Sequence, residues 1–154
     1  MKLIVVHFVA SLVTLTSACS DETRREVSNQ ARYKNLLGEE YEVIGPIEAY
    51  GIRQHSSAPV DYVTLIPPPG IAGSYVGFRV SLQSGSTVVI QRVYDTNRWP
   101  DPDMSYDVIL TGTLLPTSAP VRIDLFRGNE GKDPSRLNPR LYRRVGPLEV
   151  SSQR

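Results

Sequence analysis

From residue 39 onward the chain alternates apolar and polar positions in short runs. Phe78, Val80 and Leu82 are interleaved with Arg79 and Ser81, and Val121, Ile123 and Leu125 with Arg122 and Asp124. A period of two puts successive side chains on opposite faces, so these runs predict half-buried strands with their arginines in water. Strands are expected at 60–66, 75–82, 87–95, 106–113 and 121–127, with a longer interrupted run over 41–53 and a last one near 142–150. Strong breakers separate them. Pro67-Pro68-Pro69-Gly70 lacks the amides that a ladder needs, Ser84-Gly85-Ser86 suits a tight hairpin, and 95–103 and 128–139 read as polar loops. The pattern predicts an all-β domain, either a small barrel or a compact sandwich, of six or seven short antiparallel strands.

The preceding residues lack this texture. Arg24, Arg25, Glu26, Asn29, Gln30 and Arg32 dominate 20–38, and Val27, Ala31 and Leu36 make no broad apolar stripe. A flexible tether is expected there, ending in one helical turn near 33–37 that Gly38 stops. Twenty extended residues reach up to ~70 Å, enough to hold a domain clear of a membrane.

The start of the chain has a pattern of its own. Met1-Lys2 is followed by Leu3-Ile4-Val5-Val6-His7-Phe8-Val9-Ala10-Ser11-Leu12-Val13 and then Thr14-Leu15-Thr16-Ser17-Ala18-Cys19. A cation, an apolar run and small residues form the three parts of an export signal. The run falls short of the roughly 20 apolar residues that span a bilayer, and polar Ser20-Asp21-Glu22 follows at once. The stretch Leu15-Thr16-Ser17-Ala18-Cys19 resembles the bacterial lipobox, with Thr16 where that family usually has leucine. The resemblance implies cleavage between Ala18 and Cys19, lipidation of Cys19 with diacylglycerol and acylation of the new amino group. It divides the chain into a signal at 1–18, a lipidated N-terminus and tether at 19–38, and a β-rich domain at 39–154. Ser20, not aspartate, follows the cysteine; by that family's sorting pattern this implies the outer membrane, facing the periplasm. The competing reading is an ordinary cleaved signal ending at Thr16-Ser17-Ala18.

Composition narrows the functional classes. The chain has one cysteine, so no internal disulfide can form. A formal net charge of +1 gives no long-range reason to expect nucleic acid as a partner.

Catalytic chemistry finds little material. His7 would leave with the signal, which makes His55, in Gln54-His55-Ser56-Ser57, the one histidine of the mature chain. A nucleophile beside a base is not implied by adjacency in sequence, so a solvated loop histidine is expected. Zinc needs several His or Cys ligands, which the chain cannot supply. Asp95, Asn97, Asp101, Asp103 and Asp107 cluster without the glycine and closing glutamate of a calcium loop. No enzymatic activity, cofactor or metal is expected.

Two patches are candidates for binding. Arg98-Trp99 lies in a polar loop, where Trp99 either anchors a partner or folds back over the domain. Arg140, Tyr142, Arg143 and Arg144, with Arg136 nearby, could meet anionic lipids, glycans or a protein, or form a solvated terminal segment. Leu82-Gln83-Ser84-Gly85-Ser86-Thr87-Val88-Val89-Ile90, with Tyr106-Asp107-Val108, resembles bacterial SH3-type barrels in a small part of the chain. That family's Asn-Val-Arg opening and Gly-Trp close are missing. Ile44-Gly45-Pro46-Ile47-Glu48 recurs as Val145-Gly146-Pro147-Leu148-Glu149. Either the first and last strands are equivalent edges that meet to close a barrel, or the echo is chance. The expected function is a non-enzymatic envelope lipoprotein, anchored to a membrane and binding a protein partner as an accessory, inhibitor or immunity factor. A peptidoglycan or glycan binder is one alternative, and a hydrolase using the aspartates near 95–107 is another.

Overall fold

The computed structural model describes residues 24–96, 103–126, 128–132 and 134–145. Among them run nine strands: β1 (Arg24–Glu26), β2 (Glu40–Val43), β3 (Glu48–Ile52), β4 (Tyr62–Ile66), β5 (Val76–Ser81), β6 (Thr87–Thr96), β7 (Met104–Thr111), β8 (Val121–Asp124) and β9 (Tyr142–Val145). A single 3-10 helix, Ala31–Leu36, joins β1 to β2. The chain is all-β, as its alternation predicts, with more strands than expected because the run over 41–53 splits and Arg24–Glu26 adds a strand before it. Ile44-Gly45-Pro46-Ile47 interrupts it, and β2 and β3 take different partners.

The strands follow the order β5-β3-β4-β8-β7-β6-β2-β9, with β1 pairing separately onto β6. Most pairs are antiparallel, but β4 and β8 run parallel, with Val63 opposite Val121. The β4–β8 pair joins distant parts of the chain, so a crossover takes the place of a hairpin. β2 and β9 do pair, Tyr41 opposite Arg144. They do not close a barrel: β2 is already flanked by β6 and β9, and the path ends on β5 and β9. The sheet instead wraps as a compact sandwich-like layer around one core.

Side-chain alternation builds that core. Tyr41 and Val43 of β2 are buried while Glu40 and Glu42 point outward, and Tyr106 and Val108 of β7 are buried beside Ile123 of β8. On β6 the buried apolar positions are Val88, Ile90 and then Val93. The phase slips by one because the β6–β7 register shifts between Ile90 and Arg92, and a bulge there returns the apolar face inward.

The expected tether is corrected over most of its length. Arg24–Glu26 pairs with β6, Arg24 opposite Thr96. The Val27 amide then donates to Val93 O at 2.9 Å, and the Val93 amide donates to Ser28 Oγ at 2.9 Å. Val27 is 1% exposed and Leu36 6%. Two apolar side chains cannot make an amphipathic helix, but they suffice for a short strand and a 3-10 turn laid along an existing strand. The helical turn expected near 33–37 forms one to two residues earlier, at Ala31–Leu36, and Gly38 lies just beyond its Leu37 cap with φ of 80°. No helix among the described residues is long and apolar enough to cross a membrane.

Candidate binding surfaces

The outward face of β1, β6, β7, β8 and β4 carries a row of alternating aromatic and charged groups. Arg24 lies across Ser105 and Asp107, its Nε and Nη2 donating to Ser105 Oγ at 3.1 and 3.0 Å and its Nη2 to Asp107 Oδ1 at 2.9 Å. The same guanidinium stacks 3.9 Å above the Tyr94 ring. From the other side Arg122 stacks 4.0 Å above Tyr62, with Nε 3.7 Å from Asp107 Oδ1. Two cations therefore share one carboxylate oxygen. The closer cation holds the hydrogen bond, and Arg122 Nε is buried without one among the described residues. Burial, and then the nearby Arg24 charge, pull the Arg122 guanidinium below its ordinary value, with Asp107 opposing.

A second cluster sits beneath the proline loop. The Tyr50 hydroxyl donates to Glu48 Oε2, and Arg79 Nη2 donates to Glu48 Oε1 at 2.5 Å. The Arg79 bond, then the Tyr50 bond, hold the Glu48 carboxyl below the usual carboxylate range against its burial. Burial, then the Glu48 contact, push the Tyr50 phenol up. Both groups move away from neutrality, the reverse of what a general acid or base needs. The cluster instead seats the loop: a Cβ on Gly70, at φ of 73°, would fall 1.8 Å from Tyr50 Oη.

The arginine-rich patch near the C-terminus is brought together, but its charges are engaged. Arg143 Nη2 donates to Glu42 Oε2 at 2.5 Å, and Arg144 Nη2 donates to Glu39 Oε1. Tyr142 points the other way; its ring is buried, its hydroxyl donates to Asn129 Oδ1 at 3.1 Å, and burial pushes the phenol far up. Arg140 is exposed in the turn before β9, where its amide donates to Asn138 Oδ1. Arg144 also lines a groove of about 480 Å³ with Leu36, Glu39 and Tyr41. Ala18, Cys19, Arg98 and Trp99 lie outside the described residues. His55 is exposed, its Nδ1 3.1 Å from Ser57 Oγ two residues on, which is a contact made within one turn.

Sequence reasoning missed the loop between β7 and β8. Leu114 is 94% exposed and Ile109, just before it on β7, is 51% exposed. With Leu110, Leu115, Pro120 and Val121 they border a groove of about 350 Å³. Covering a leucine side chain contributes about 1.5–3 kcal/mol, a gain open to a partner that seats on this groove. The signal available in the sequence was the doublet Leu114-Leu115 inside a loop otherwise built of Thr, Ser, Gly and Pro.

No known family model, curated protein or solved structure matches the chain.

Proposed function

We propose that the chain is a lipid-anchored bacterial envelope protein that acts by binding a protein partner through the groove bordered by β7 and the loop that leads to β8. The observation that carries this reading is the exposure of Leu114 beside Ile109. Leu37, at 37%, and Ile44, at 42%, are far less exposed. Leu114 and Ile109 together offer apolar surface at the rim of a shallow groove, which a partner's side chains can cover. Binding rather than turnover agrees with the chemistry of the polar clusters. Glu48 and Tyr50 are displaced from neutrality, and His55 is bonded within its own turn. The lipobox-like Leu15–Cys19 string supplies the anchor and the export route.

The test is site-specific photocrosslinking in cells, with the crosslinker placed at Leu114 and, as control, at exposed Gln54. A discrete adduct at Leu114, absent at Gln54 and lost when Ile109→Asp is added, supports the reading. Equal labelling at both positions, or none at either, overturns it.

A further inference from the structure

The pairing of β1 with β6 changes how far the domain can stand from a lipid on Cys19. Four residues, Ser20 to Thr23, separate that cysteine from Arg24, the first residue of β1. Fully extended, the five steps from Cys19 to Arg24 cover about 17 Å, against ~70 Å for a tether of twenty. A headgroup layer is roughly 5–7 Å deep on each side of the hydrocarbon. The fold therefore begins no more than about 10 Å beyond the headgroups, a distance close to the Debye length at physiological salt.

The register says which end faces the bilayer. Arg24 lies opposite Thr96, the last residue of β6, and Met104 of β7 lies opposite Asp95. The chain thus enters at the end where β6 stops and β7 starts. Leu114 follows the far end of β7, where Thr111 lies opposite Thr87. Ten residues of β6 separate the two ends, ~30 Å of strand. At the near end the Arg25 side chain is 73% exposed, and its partner Asp95 is held only by a surface ion pair at 3.0 Å. Such pairs contribute little, so the guanidinium is available to lipid phosphate.

We infer that the β1 end of the sheet docks against the headgroups of the bilayer that carries the anchor, and that the Leu114 loop is directed away from it. The inference rests on lipidation of Cys19, and it makes the groove of the proposed partner the outermost part of the molecule.

The test uses full-length lipidated protein in vesicles of phosphatidylethanolamine and phosphatidylglycerol with an energy acceptor on the headgroups. Lipidation occupies the single native thiol, so Arg25→Cys and Leu114→Cys each give one site for a donor dye. Transfer several-fold stronger from position 25 than from 114 is expected. A Gly/Ser spacer of roughly 20 residues between Thr23 and Arg24, with a root-mean-square length of about 25 Å, is expected to erase most of that difference. Equal transfer from the two sites in protein that floats with the vesicles overturns the docking and leaves the anchor standing. Protein that carries no lipid mass and does not float overturns both.

Discussion

Arg24 and Asp107 are 83 positions apart in the chain, and their side chains meet at 2.9 Å on the outer face of the sheet. The contact ties the first strand to a central one, and it places Asp107 between two guanidiniums, since Arg122 is 3.7 Å away. The two ends of this arrangement are not equivalent. Removing Arg24 leaves Asp107 with its other cation, whereas removing Asp107 leaves two partly buried cations facing each other.

Asp107→Ala is therefore expected to destabilise the protein more than Arg24→Ala, by about 1–3 kcal/mol against roughly half that. Urea unfolding of both single variants and of the double variant checks the order. A cycle in which the two losses simply add would show that the pair is not coupled.

Residues 24–38 belong to the fold, so of two truncated chains the one starting at Arg24 is expected to be the more stable. One starting at Glu39 loses the burial of Val27 and Leu36, about 3–6 kcal/mol together. Thermal unfolding of the two truncations distinguishes a packed segment from a tether. In the longer chain, slow hydrogen exchange at the Val27 and Val93 amides, whose bonds join β6 to the two residues after β1, gives the same answer by an independent route.

Much of this architecture was legible in the sequence wherever one face of a strand is apolar. The strands expected at 75–82 and 87–95 correspond to β5 and β6 because alternation survives in Phe78/Val80 and Val88/Ile90, and that at 60–66 to β4, a short β-branched and apolar run buried on both faces. β1 carries no apolar signal because Arg24, Arg25 and Glu26 are all charged; backbone bonds, the Arg24 contacts to Ser105, Asp107 and Tyr94, and Val27 just beyond hold it in place. The β4–β8 pairing, the sharing of Asp107 by Arg24 and Arg122, and the engagement of Arg143 and Arg144 by Glu42 and Glu39 are contacts between distant positions. Periodicity within a window carries no information about them. Leu114 was passed over for a different reason: loops are read for their turn residues, and exposure is decided by what the loop packs on.

Glu48 has its carboxyl lowered from the ordinary 4.5 in the folded protein. Its contribution to stability is complete above that unfolded value and is lost as pH falls through the lower folded one. Tyr50 is raised from 10.0, so its contribution is complete below pH 10.0 and declines as the pH rises beyond it. Stability is expected to hold through neutrality and to fall at both extremes. Glu48→Gln is expected to flatten the acid limb, and an acid limb identical to that of the parent would remove Glu48 from this role.

Gly70→Ala is expected to cost about 2–4 kcal/mol, from a left-handed backbone angle and from a methyl group driven into Tyr50 Oη. Tyr50→Phe removes the oxygen in conflict, so the double variant is expected to lose less than the sum of the two single changes. Strict additivity in thermal unfolding would mean that the loop does not rest on the phenol.

Cys19→Ala is expected to abolish incorporation of labelled palmitate and to move the protein from the membrane to the soluble fraction, because each buried methylene contributes about 0.8 kcal/mol to anchoring. Unchanged labelling and fractionation would refute the lipid anchor.

Among the described residues the unclosed strand path ends on two flanks, β5 and β9, where a further strand of any chain finds a template for hydrogen bonding. Both flanks are guarded. Arg79 projects from β5 with 59% of its side chain in water, and Arg143 and Arg144 project from β9 at 65% and 62%. At high concentration these exposed cations oppose edge-to-edge joining of two copies, because a new ladder would have to bring arginines together or break their ion pairs. These arginines thus act as gatekeepers of solubility, beyond the carboxylates that they pair with at home.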